Sequence, residues 1–106
     1  MKKRHFRLQL NRHAELFWRG IRQHSDIENI SIGGALVRAD TPVKVGDFIS
    51  VYLKDDFSPN TLEIGAEVIR TQPSRWGMPA FAVKFDAISE KLRSFMSRLI
   101  AKRTSF

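Results

Sequence analysis

Two short stretches of this chain carry residue types suited to holding a flat, anionic ligand. Lys2-Lys3-Arg4-His5-Phe6-Arg7 supplies ammonium and guanidinium groups, and the guanidinium plane suits phosphates and purine edges alike. Asn29-Ile30-Ser31-Ile32-Gly33-Gly34 supplies two short polar side chains next to a glycine pair. Such a pair lets a polar ligand come close to the backbone. Singly, a basic terminus reads as a solvated tail, and Ser-x-Gly-Gly as a turn or bulge. The two stretches are chemically complementary for one such ligand.

Nothing in the sequence reads as a catalyst. His5, His13 and His24 are scattered, with no helical or hairpin ligand spacing, so no metal site is expected. Asp55-Asp56 beside Phe57 reads as a solvated turn rather than an acid/base pair. Ser31 has no partner in a triad pattern. Trp76 stands between Arg75 and Gly77 and reads as a surface-to-core anchor ahead of a base-stacking platform. With no cysteine, neither a disulfide framework nor a thiolate metal site is possible.

The elements that must position the two stretches come from hydrophobic periodicity. Leu8, Leu10, Ala14, Leu16 and Trp18 alternate with polar residues, as one long strand or a bent pair, before a turn at Gly20. Ile27, Ile30 and Ile32 lead into the glycine pair, and Ala35-Leu36-Val37-Arg38 reads as the next strand. Thr41 to Asp47 has turn composition, and Phe48–Leu53 is a strand with apolar residues on both faces. Leu62, Ile64, Ala66 and Val68 give the cleanest alternation. A loop from Pro73 to Pro79 precedes a last strand, Ala80–Phe85. Several short strands separated by turn signals argue for a small antiparallel barrel or sandwich.

The period then changes. Ile88, Leu92, Phe95, Met96, Leu99 and Ile100 fall on one stripe of an α-helix over residues 89–103. Ser89 is placed as its N-cap, Glu90 lies in the positive first turn, and Lys102 and Arg103 lie at the negative end. The stripe is expected to plug the open end of the barrel rather than to bind a partner.

The 106 residues suffice for one domain, and 42% hydrophobic residues with eight phenylalanines can build a core. The net charge of +7 is unevenly spread: residues 1–24 carry seven Lys/Arg against one Glu, residues 25–88 six against nine acids, and residues 89–106 five against one Glu. Cations gathered in a tail and a helix fit a local anionic ligand better than a long polyanion. No apolar run approaches the roughly 20 residues of a membrane span. The basic N-terminus lacks the apolar stretch of a secretory signal, so a soluble cytoplasmic protein is expected.

Together the two motifs resemble those of the PilZ domain, the bacterial receptor module for cyclic di-GMP. That family has Arg-x-x-x-Arg followed by Asp/Asn-x-Ser-x-x-Gly. Asn29, Ser31 and Gly34 fit the second motif in full, and the first is met as Lys3-x-x-x-Arg7, with Arg4 beside it. The resemblance covers nearly the whole chain. It implies a mainly β fold: a six-stranded antiparallel barrel over residues 8–85 with one C-terminal helix, in a single domain over 1–106. It also implies that residues 1–7 form a basic switch segment that orders on ligand binding.

By the same resemblance, Lys3 and Arg7, with Arg4 and Lys2 assisting, take the phosphates and guanine edges. Asn29 and Ser31 contact guanine or ribose, and Gly34 keeps the surface clear of a Cβ that would collide with a base. The implied partners are cyclic di-GMP and a downstream protein, with no cofactor, no metal, no membrane insertion and no enzyme activity. Lysine keeps the charge at position 3 but loses the planar two-pronged donor set. A PilZ-like adaptor without nucleotide binding, in pilus or flagellar machinery, therefore stays open. So does a small basic barrel for single-stranded nucleic acid, with Phe6, Phe17 and Trp18 as its platform; the acidic middle of the chain argues against it.

Overall fold

The computed structural model describes residues 7–73, 77–87 and 89–104. Lys2, Lys3, Arg4, Trp76 and Ile88, and with them the ordering of the basic segment, lie outside the described residues. Six strands follow in chain order: β1 (Leu8–Trp18), β2 (Ile21–Ile30), β3 (Gly34–Arg38), β4 (Phe48–Lys54), β5 (Thr61–Pro73) and β6 (Pro79–Phe85). They close an antiparallel barrel in the order β1-β2-β3-β6-β5-β4, and helix α1 (Glu90–Thr104) follows. The mainly β, six-stranded barrel with one terminal helix is thus the observed architecture.

The alternation that announces the strands is also what fills the barrel. Leu8, Leu10, Ala14 and Leu16 of β1 point inward, as do Leu62, Ile64, Ala66 and Val68 of β5. They meet Val51 and Leu53 of β4 and Phe81, Val83 and Phe85 of β6 in one core. Arg19-Gly20 joins β1 to β2 with both residues at positive φ, 51° and 78°. That is the geometry that suits the twist of a two-residue hairpin. The two apolar faces expected of β4 resolve into a buried row and an outer row, where Phe48 is exposed and Tyr52 half-buried.

Three bulges interrupt the pairing: in β1 between Gln9 and Arg12, in β2 between Ile27 and Asn29, and in β5 between Val68 and Arg70. Asn11 sits in the first with φ 48°, a conformation that asparagine tolerates better than most side chains. β1 is therefore a single strand bent at Asn11.

The helical stripe joins the same core, with Leu92, Phe95, Met96 and Leu99 all buried. Ser89 caps the helix as expected, its hydroxyl accepting the Leu92 N–H at 3.2 Å. Side chains from the β4–β5 loop and β1 hold α1 on the barrel. Phe57 meets Phe95 edge-on at 6.2 Å, Arg12 lies over the Phe95 ring and Arg98 over Phe57.

Candidate ligand site

Arg7 and Asn29 come from the two sequence motifs, 22 positions apart, and the fold brings them together. The Arg7 Nη1 donates to Asn29 Oδ1 at 2.8 Å. The β2 bulge is the reason. Ile27 and Ile30 both point into the core although they are three positions apart, because Glu28 is the extra residue at the register shift. In an unbroken strand Asn29 would share the inward face of Ser25 and Ile27; the bulge turns it out, beside Gln9 of β1. With its oxygen facing Arg7, the Asn29 amide is left with its N–H groups as donors for a base edge. Only one of the five guanidinium donors of Arg7 goes to Asn29.

Ser31 and Gly34 play a different local part. Ser31 is buried, and its N–H donates to the Gly34 carbonyl at 2.8 Å. Its hydroxyl also donates to that carbonyl at 3.3 Å and accepts the Gly33 N–H at 3.3 Å. The serine thus closes the turn between β2 and β3. A Cβ on Gly34 would stand 2.3 Å from the Val83 carbonyl oxygen of β6, and Gly34 has no left-handed φ. The neighbouring strand therefore already requires a glycine here, before any ligand is considered.

Two neighbours of the site were not legible in the sequence. Gln9, across from Asn29, donates through Nε2 to Asn11 Oδ1 at 3.2 Å, so the β1 bulge borders the site. Arg103, from the last turn of α1, donates through Nη1 to the Gln9 carbonyl. In sequence Arg103 reads only as a favourable charge at a helix end. An asparagine inside a period-two run was the available signal for the bulge.

The acidic candidates are structural. Asp55 holds its own loop, accepting the Phe57 N–H at 2.8 Å and the Ser58 hydroxyl at 3.2 Å. Asp56 pairs with Arg12 at 2.6 Å, and that bond holds its carboxyl below the usual range. Asp47 is also lowered, first by the Lys44 N–H and then by the indole of Trp18, whose Nε1 donates at 3.0 Å. His13 and His24 are not scattered as their spacing suggests. They are neighbours across the β1–β2 hairpin, with ring centroids 5.2 Å apart. The hairpin register converts a separation of 11 positions into contact. Among the described residues no three or more His, Asp or Glu side chains could close on one metal ion.

The PilZ domain family model matches residues 1–102. The chain belongs to the PilZ domain family. Solved structures similar to this PilZ domain include the inhibitor of motility MotI (DgrA) of Bacillus subtilis, at 16% identity and a TM-score of 0.72. That match covers 97% of this chain and 54% of MotI, so the chain spans about half the length of that relative. The PilZ domain of YcgR from Escherichia coli, solved with c-di-GMP, matches at 13% identity and a TM-score of 0.68, covering 96% of this chain and 91% of that one. The PilZ domain of CeSA from a cellulose-synthesizing bacterium matches at 19% identity and 0.64, covering 89% and 93%. No match is found among curated proteins. PilZ domains are receptor and adaptor modules rather than enzymes, and no helix among the described residues is long and apolar enough to cross a membrane.

Proposed function

We propose that this PilZ domain is a cytoplasmic cyclic di-GMP receptor that passes its state to a partner protein by surface contact. The observation that carries the reading is the Arg7–Asn29 hydrogen bond, which sets the end of the first motif against the start of the second. Arg7 offers a charge-assisted fork for a phosphate or the O6/N7 edge of guanine. Asn29 adds amide donors, while Ser31 and Gly34 hold the turn that presents it. Lys3 and Arg4 complete the cationic side from the preceding segment, which orders as phosphates neutralise its charge. No residue in this arrangement is set up for bond-breaking, and the reading needs no cofactor.

Two features weigh on the alternatives. Lysine at position 3 favours an adaptor that works by protein contact without the nucleotide. A single-stranded nucleic-acid platform is disfavoured because Phe17 and Trp18 are consecutive strand residues on opposite faces. The Trp18 indole is moreover engaged with Asp47.

Isothermal titration with cyclic di-GMP, with GTP and a short oligonucleotide as controls, tests all three readings. Saturable binding of cyclic di-GMP alone, weakened in Arg7→Ala, is the expected outcome. Absence of binding in the wild type leaves the adaptor. Oligonucleotide binding that weakens steeply with salt would point to nucleic acid.

A further inference from the structure

The outer face of the β1–β2 hairpin carries a second polar cluster, built from residues that the Arg7–Asn29 pair does not use. In register, His13 faces Asp26 and His24 faces Glu15, so the two imidazoles meet diagonally on one face. His13 Nε2 and His24 Nδ1 are 3.4 Å apart, with the rings tilted by 39°. That separation is long for a hydrogen bond between two rings. It matches the edge of a tetrahedron around a zinc ion, since Zn–N bonds of about 2.0–2.1 Å set two nitrogens about 3.3–3.4 Å apart.

We propose that His13 and His24 form an open, two-nitrogen site for a transition-metal cation of the Zn²⁺ type. The other His13 nitrogen supports this: Nδ1 lies 3.9 Å from Asp26 Oδ1. A carboxylate behind the ring is the partner that metal-ligating imidazoles commonly have, here at charge distance rather than hydrogen-bonded. Asp26 in turn stands opposite Arg38 of β3, a cation on its far side from His13.

Glu15 is not counted as a ligand, because its carboxylate pairs with Arg22 at 3.1 Å. Two protein nitrogens leave the remaining coordination positions to water or a small anion. Both rings are exposed on the outer face of the hairpin, so those positions are open to solvent. Imidazole donors select zinc, copper or nickel over magnesium and calcium. A bound ion would clip β1 to β2 and stabilise the folded chain by mass action.

The test is titration of the full chain with ZnCl₂ near neutral pH, by calorimetry and by NMR of the histidine rings. One ion is expected to bind, shifting the His13 and His24 ring signals together and raising the melting temperature. His13→Ala and His24→Ala should each weaken binding about tenfold or more, and Asp26→Asn by up to about tenfold. Excess Mg²⁺ should not compete, and His5→Ala should bind zinc as the wild type does. All three histidine variants are checked by thermal melting without zinc, and His24→Gln replaces His24→Ala if that variant is unfolded. An absence of binding, zinc affinity unchanged in both His13 and His24 variants, or shifts confined to His5 would each overturn the proposal.

Discussion

The two ends of the barrel are built on different plans. At the end that begins β1, polar groups are spent on directed bonds: Arg7 to Asn29, Ser31 to Gly33 and Gly34, Arg12 to Asp56, and Arg103 to the Gln9 backbone. At the end where β1 turns into β2, the polar bonds instead fasten the β3–β4 loop: Trp18 Nε1 and the Lys44 N–H both donate to Asp47, and the Thr41 hydroxyl donates to Gln23 Oε1. There Ile21, Val45, Phe48 and Ile69 are left at least half exposed. The contrast separates presentation from closure. The first end holds a few side chains in fixed relation, as a ligand site requires, whereas the second mainly has to shut the barrel.

The glycines of the two ends offer the strongest way to break this comparison. Gly34→Val, and even Gly34→Ala, must push β3 from β6 against a backbone oxygen. Each is expected to cost about 3 kcal/mol or more in denaturant unfolding. Gly20→Ala meets no atom within 4 Å and suffers only from its φ of 78°, so a loss of about 1 kcal/mol is expected. Equal losses would show that the first end is no more constrained than the second. A folded Gly34→Val would leave room for the steric role against a base that the family motif implies.

Arg7→Ala comes next in size and sharpens the functional side. It should weaken cyclic di-GMP by about 1–3 kcal/mol while moving stability by less than about 0.5 kcal/mol. Lys3→Arg should tighten the same binding. Unchanged affinity in Arg7→Ala would remove the residue from the site.

Acid should loosen both ends. Asp56 and Asp47 have depressed folded-state pKa values, through Arg12 at one end and through Lys44 N–H and Trp18 at the other. Their contribution is present above the unfolded carboxylate pKa of about 4, and is lost as pH falls through the lower folded values. Thermal melting across that acid range should show a decline that is shallower in both Asp56→Asn and Asp47→Asn. A decline unaffected by either would mean that other carboxylates govern acid unfolding.

The smallest effect is expected from Phe48→Ser, which removes a ring 69% exposed. Its stability should change by no more than about 0.5 kcal/mol. A loss several times larger would show that the outer apolar row is part of the packing.

Much of this molecule could be read from its residues, because the signals were local. Apolar runs marked β1 and β3 to β6, the i, i+4, i+7 stripe gave the helix, and Ser89 announced its cap, but the first half of β2 carries no period-two signal and was not legible. What else stayed hidden depends on pairing. The β2 bulge that turns Asn29 outward exists only relative to β3, and the meeting of His13 with His24 follows from the hairpin register. The close approach of β6 to Gly34 joins strands nearly 50 positions apart, so no local pattern could reveal it. Ser31 and Gly34 were recognisable as motif residues, yet their hydrogen-bonding and steric roles in the turn needed the fold. The expected ordering of Lys3 and Arg4 lies beyond the described residues.

The bond from Arg103 to the Gln9 carbonyl also has an architectural consequence. It brings the last turn of the helix to the first residues of the first strand, so both ends of the described chain leave from one quarter of the surface. Any polypeptide joined before Arg7 or after Thr104 would start beside the Arg7–Asn29 pair. A module reached through either end would therefore be anchored within reach of whatever binds at that pair.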